Sequence, residues 1–261
     1  MKNFIKRVLR KIKRIFQKPQ IQKEEVLEIP LNRITYMQDN LFTFNNCDFM
    51  KDEKFMHAYQ TGKATDLGIL KNVDFHWRIH VLCWAAKHAL NLEGDFAECG
   101  VNTGIFSRAI TEFIDFKNVN KQLFLLDTFF GLEPKYSSAA EMDYDERMGY
   151  KHQNNLYQHV CDQFKTFPNV RIIKGPVPDT LSQLQSEKFA YLSIDMNSVI
   201  PEIEALKFFW PKMVKGGVII LDDYGYPGHE NQKIAQDEFA KSVQSSILSL
   251  PTCQGLLIKH T

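Results

Sequence analysis

The chain has 261 residues, 44% hydrophobic and 24% charged, enough to bury a full core in one large domain and too apolar for a disordered or fibrous sequence. Lys and Arg number 32 against 31 Asp and Glu, a net charge of +1, which argues against a protein built to hold long stretches of nucleic acid. Cys47, Cys83, Cys99, Cys161 and Cys253 form no CxxC or CxxxC pair. This excludes a zinc knuckle or disulfide framework and points to a reduced, cytoplasmic compartment.

The charge is unevenly placed. Residues 1–18 carry eight basic side chains and no acidic one, leaving 24 basic and 31 acidic residues elsewhere, a balance of −7. Phe4, Ile5, Val8, Leu9, Ile12, Ile15 and Phe16 make one apolar stripe opposite the Lys and Arg residues. That pattern predicts an amphipathic helix, ended by Lys18-Pro19, that lies on an anionic membrane surface at the inner face or, as the plainer alternative, packs on the body or on a second subunit. No apolar run reaches the ~18 residues that span a bilayer, and there is no secretory h-region. Residues 19–75 show no clear period and read as an arm or lid.

Helical spacing returns from Trp77 to Leu92 and opens a domain taken as residues 76–261. Strands are expected at Phe96–Gly100, Gln122–Phe129, Val170–Lys174, Phe189–Met196 and Val218–Asp223. Helices alternate with them at Gly104–Phe116, Asn154–Phe167, Leu181–Ser186, Pro201–Met213 and Glu230–Ser242, with a polar insertion at 133–150. Two short strands, Ser246–Leu250 and Leu256–Lys259, close the chain. This order predicts an α/β, doubly wound, mostly parallel seven-stranded sheet.

Ligands of such sheets bind at the carboxyl ends of the strands. The first end, Glu98-Cys-Gly100-Val-Asn102-Thr103-Gly104, has the spacing Glu-x-Gly-x-x-x-Gly, with Asn at the position where a dinucleotide fingerprint wants its second glycine. A glutamate here suits the ammonium of an amino acid, such as the methionine part of S-adenosylmethionine, better than a pyrophosphate. Asp127, followed by Thr128, closes the second strand, where a carboxylate accepts both hydroxyls of a ribose; the plainer reading is an acid that caps a turn. Gly100, Gly104, Ser107 and Gly175 complete the candidate cofactor site. Asp195, Asp222 and Asp223 close adjacent strands, and three converging carboxylates call for a cation among them or a retained proton. All-oxygen ligation suits Mg²⁺; a metal-free acid/base pair or a turn are the alternatives. His229, in Gly225-Tyr-Pro-Gly-His229, is the first-ranked histidine for a catalytic role beside Asp195 and Asp223. His76 and His80 read as structural, and Cys99 as packing.

Glu98-Cys-Gly-Val101, Leu126-Asp-Thr-Phe129 with Gly131-Leu132, Gly175 with Asp179-Thr-Leu181, Ile194-Asp195 and Gly216-Gly-Val-Ile-Ile-Leu-Asp-Asp-Tyr-Gly225 together resemble the macrocin O-methyltransferase family over about residues 77 to 242. The resemblance implies a class I S-adenosylmethionine-dependent methyltransferase that methylates a hydroxyl, often on a sugar, with Mg²⁺ and as a homo-oligomer. By position it puts Glu98 and Gly100 at the methionine, Asp127 at the ribose, and Asp195, Asp222 and Asp223 at the metal, with Asp195 or Asp223 as base. One departure stands out: the family's Asp-x-Asp-x-Tyr is here Asp195-Met-Asn197-Ser-Val199, an amide for a carboxylate. The basic N-terminus adds the expectation of a membrane-linked glycan as acceptor, since tethering raises effective concentration at that surface. Two other readings are a non-catalytic cofactor-binding module brought to the membrane and, on weaker grounds, a nicotinamide-dependent oxidoreductase.

Overall fold

The computed structural model describes residues 30–68, 70–149 and 155–260. The amphipathic helix expected over residues 1–18 lies outside them. The chain divides after Ile34; on the N-terminal side the described residues form one 3₁₀ turn, Leu31–Arg33. No helix among the described residues is long and apolar enough to cross a membrane.

The second unit opens with an antiparallel hairpin, β1 (Tyr36–Gln38) and β2 (Leu41–Thr43), in which Gln38 faces Leu41. Its two turn residues, Asp39 (φ 51°) and Asn40 (φ 56°), are both left-handed. A two-residue hairpin loop requires this, and Asp and Asn tolerate it. Helix α1 (Glu53–Lys63) follows, started by Asp52, whose Oδ1 accepts the Lys54 and Phe55 N–H groups. Neither element has the length or strong apolar period that would reveal it in the sequence; α1 buries only Phe55, Ala58, Tyr59 and Gly62. Helix α2 (His76–Ala89) then leads into the sheet.

The sheet is built from β3 (Asp95–Cys99), β4 (Leu123–Asp127), β5 (Val170–Lys174), β6 (Phe189–Ile194), β7 (Met213–Leu221), β8 (Leu248–Ser249) and β9 (Gly255–Ile258). Its order is β5-β4-β3-β6-β7-β9-β8. The first five run parallel, β9 is antiparallel to β7, and β8 is antiparallel to β9. The seven-stranded doubly wound sheet expected from the sequence is the one found. Helices α3 (Ile105–Phe113), α4 (Ala139–Met148), α5 (Leu156–Phe164), α6 (Val199–Phe209) and α7 (Glu230–Ser242) connect the strands.

Alternate side chains of each strand feed two cores. Phe96, Leu125, Tyr191 and Ile220 pack with Leu82 and Ala86 of α2 and Ile110 of α3. Ala97, Leu126, Leu192 and Ile194 pack with Leu206 and Phe209 of α6 and Phe239 of α7. With apolar cover on both faces, β6 is buried at every position, as a central parallel strand should be.

Several boundaries differ from the sequence pattern. The helix expected to Phe116 stops at Phe113, because Asp115 turns left-handed (φ 51°) and starts a 3₁₀ turn, Phe116–Asn118. Strand β7 begins at Met213 instead of Val218, its Gly216 N–H reaching the Lys259 carbonyl at 2.7 Å. Leu181–Gln183 is a 3₁₀ turn rather than a helix. The polar 133–150 insertion holds α4, started by a reciprocal Ser138–Glu141 capping box.

Candidate active site

Strands β3, β4 and β5 build outward in one direction and β6 returns to the other side of β3, so the switch point lies between β3 and β6. In register, Cys99 pairs with Leu126 of β4 and Ile194 of β6, and Ile194 with Leu221 of β7. One residue further on, Gly100, Asp127, Asp195 and Asp222 therefore stand along one edge. A cleft opens there, lined among others by Gly100, Asn102, Asp127, Thr128, Gly175 and Asp195.

Gly100 is forced by geometry. Its φ is +91°, and a Cβ there would sit 1.8 Å from the Asp195 carbonyl oxygen, so only glycine lets the first loop pass under the end of β6. Asn102 (φ 50°) and Gly104 (φ 90°) turn the chain into α3. Asp127 fastens this loop to β4: Oδ2 accepts the Val101 and Asn102 N–H groups at 2.6 and 2.8 Å, and Oδ1 accepts Phe129 N–H at 2.6 Å. Burial raises its pKa, and the backbone donors pull the other way. Asp127 thus caps a turn, as the plainer reading expects, and also lines the cleft.

Glu98, Thr103 and Ser107 lie buried around the loop. Ser107 Oγ donates to Glu98 Oε2 at 2.6 Å. Burial pushes the Glu98 carboxyl up to about 8 against that donor, with Asp127 and Asp222 adding to the rise. Thr103 Oγ1 has no partner among the described residues.

Asp195, Asp222 and Asp223 do converge, with one oxygen from each lying within 4.8 Å of the others. The sequence reading did not foresee the side chain that joins them. Arg78, on α2, donates through Nη1 to Asp222 Oδ2 at 2.6 Å and Asp223 Oδ1 at 3.1 Å. Its Nε and Nη2 grip Asp39, at the hairpin tip, at 2.7 and 3.1 Å. Burial opposes the guanidinium charge, but Asp222 and Asp223 hold Arg78 protonated beyond its usual range. The other Asp222 oxygen accepts Gln254 Nε2 at 2.9 Å. A cation on the buried face of the helix preceding β3, opposite an excess of strand-end acid, was the available signal. Four carboxylates still face one guanidinium. Burial, then Asp222 and Asp223, raise Asp195 well above the carboxylate range; burial and Asp222 raise Asp223, against Arg78.

His229 begins α7 and is buried. Its ring meets Tyr144 edge-on at 5.0 Å and Tyr226 at 5.8 Å. Its Nδ1 lies 2.6 Å from Gln232 Oε1, and its Nε2 has no partner among the described residues. His76 stacks on Tyr59 at 3.9 Å and His80 on Phe49 at 4.1 Å, as packing residues, and Cys99 is fully buried in the sheet.

A doubly wound seven-stranded sheet with this glycine loop and these acidic strand ends defines a class I, Rossmann-like methyltransferase. The family model described as Macrocin-O-methyltransferase (TylF) matches residues 78–249, and the chain belongs to that family; it is an S-adenosylmethionine-dependent O-methyltransferase. The match sets aside the oxidoreductase and non-catalytic readings. Among solved structures, the O-methyltransferase NovP is similar at 20% identity and TM-score 0.59, over 70% of this chain and 80% of NovP. The calicheamicin methyltransferase CalS11 is similar at 14% identity and TM-score 0.51, over 90% of this chain and 98% of CalS11. The S-adenosylhomocysteine-bound methyltransferase PaMTH1 of Podospora anserina is similar at 15% identity and TM-score 0.54, over 81% of this chain and 92% of PaMTH1. No curated protein matches by sequence.

Gly100→Ala puts a methyl group against backbone that cannot yield. We expect it to destabilise the fold by at least about 1–3 kcal/mol in chemical denaturation; an unchanged midpoint and slope would show that the loop does not pass so close to Asp195.

Proposed function

We propose that the chain methylates a hydroxyl of a sugar, in a surface glycan or glycosylated metabolite, with Mg²⁺ assisting. The observation that carries this reading is the alignment of Gly100, Asp127 and Asp195 along one cleft, with Tyr144 close enough to Asp195 and Asp223 to feel their charge and packed against His229. Family membership and the likeness to the calicheamicin methyltransferase CalS11 support an acceptor hydroxyl on a natural product or glycan. Carbohydrate rings also pack well against tyrosine faces and edges.

S-adenosylmethionine supplies the methyl group. The Gly100–Gly104 loop and Asp127 form its cradle, Asp127 and Thr128 facing the ribose and Glu98 Oε1 taking the ammonium, since Ser107 engages only Oε2. The residues also fit Mg²⁺. Four carboxylates against Arg78 leave an excess of negative charge, and Asn197 Oδ1 is buried with no partner among the described residues. Because Arg78 and Gln254 occupy both oxygens of Asp222, we assign the donors as Asp195, Asp223 and Asn197, and Asp222 as the anchor of Arg78. A bound Mg²⁺ lowers the pKa of an acceptor hydroxyl and orients it. The protein's own share is position and exclusion of water, with the hydroxyl held in line with the methyl group.

Calorimetric titration with S-adenosylhomocysteine should show binding that Asp127→Ala weakens at least tenfold; no binding with or without Mg²⁺ would remove the assignment of this cleft. Because Glu98 holds its proton up to about 8 and an ammonium favours the carboxylate, binding releases that proton. Affinity should therefore rise with pH toward about 8 and level off above it, and Glu98→Gln should flatten the profile. A wild-type profile that is flat, or falls with pH, counts against this contact. For the metal, Asn197→Asp should tighten Mg²⁺ binding about tenfold or more by adding a charged oxygen; an unchanged affinity would take Asn197 out of the donor set.

A further inference from the structure

A directional hydrogen-bond chain runs from α6 across α7 to His229, and neither the cofactor cradle nor the metal donors use it. Glu202, on α6, is buried and accepts three N–H donors: Met196 N at 3.3 Å and Gln232 Nε2 at 3.2 Å on Oε1, and Gln236 Nε2 at 2.7 Å on Oε2. Burial pushes the Glu202 carboxyl up to about 7 against these donors; above that pH it is ionised and only accepts. Both glutamine amides must therefore turn their NH₂ groups toward it, even though this leaves Gln236 Oε1 buried with no partner among the described residues. Once Gln232 is so oriented, its carbonyl oxygen faces His229 Nδ1 at 2.6 Å. A carbonyl cannot donate, so Nδ1 carries a proton, and in the neutral ring Nε2 is the acceptor. That Nε2 is the buried nitrogen without a partner, on a ring flanked by Tyr144 and Tyr226.

We propose that Glu202 and Gln232 are positioning residues that fix His229 as its Nδ1–H tautomer, so that Nε2 takes the proton of the acceptor hydroxyl. The inference rests on the methyltransferase reading of the neighbouring cleft. In the step it serves, the acceptor O–H bond breaks and its proton goes to Nε2. The new O–CH₃ bond forms as the C–S bond breaks, and the sulfonium sulfur keeps that electron pair as a neutral thioether. Tyr144 comes from α4, in the insertion after β4, and Tyr226 from the loop after β7. The base is thus presented between two elements, neither of which carries the Gly100–Gly104 loop. The tautomer is set by the carboxylate two residues removed from it, since Glu202 never touches the ring. A glutamine placed between a carboxylate and an imidazole transmits orientation without placing a second charge beside the base.

The test is long-range ¹H–¹⁵N NMR of the full chain labelled at histidine, with His229 assigned by its loss in His229→Gln. In the wild type the unprotonated nitrogen of His229 should be Nε2. Gln232→Leu, which removes the acceptor, should abolish the single Nδ1–H signal, and Glu202→Gln, whose amide can also donate, should give a mixture of tautomers. A wild-type His229 protonated on Nε2 overturns the proposal, as does an unaltered Nδ1–H tautomer in Gln232→Leu. The wild-type spectrum needs His229→Gln for assignment alone, and its tautomer is read without Gln232→Leu or Glu202→Gln. Wild-type titration with S-adenosylhomocysteine separates the two levels: absent binding sinks the cleft reading, whereas binding together with the wrong tautomer sinks only the role of Glu202 and Gln232.

Discussion

One guanidinium holds the catalytic end of this sheet together. Arg78 reaches from α2 to the ends of β7 and to the hairpin tip, so three separate pieces of chain meet on a single side chain. Without it, Asp39, Asp222 and Asp223 would be carboxylates removed from water with no fixed cation, and breaking such a buried pair typically costs about 3–5 kcal/mol. The arrangement lets acids crowd at the ends of β6 and β7, where an acidic site for metal and acceptor can form. It also draws the hairpin, two short strands with little core of their own, onto the edge of the site.

The cleft follows from register. Parallel pairing of β3 with β4 and β6, and of β6 with β7, sets the last residues of four strands level. Asp127, the last residue of β4, then stands level with Gly100, Asp195 and Asp222, each the first residue beyond its strand. Gly100 lets the first loop approach the Asp195 backbone, and Asp127 ties that loop down through the Val101 and Asn102 amides. The glycine loop and the acidic cluster are two sides of one edge and share the same scaffold.

Much of this was legible in the sequence. The central strands are continuous apolar runs, their ends are marked by Gly or Asp, and the alternation with amphipathic helices dictates a doubly wound sheet. Hence the fold and the convergence of Asp195, Asp222 and Asp223 could be read directly. Features that depend on distant contacts were hidden. Arg78 looks like any helical arginine until the fold places Asp222, 144 positions away, beside it. The hairpin at Asp39 and the helix from Glu53 to Lys63 are held by packing more than by local pattern. His229 was visible as a candidate, but its bare Nε2 depends on Gln232 and Glu202, the latter from a different helix.

The dependence on Arg78 is most directly measured by a double-mutant cycle in chemical denaturation, using Arg78→Met, Asp222→Asn and the two together. Arg78→Met alone should cost about 3–5 kcal/mol because it strands the carboxylates. Adding Asp222→Asn should recover part of that loss, giving a coupling energy of at least about 1.5 kcal/mol. Single-variant effects that simply add, to within about 0.5 kcal/mol, would contradict the account.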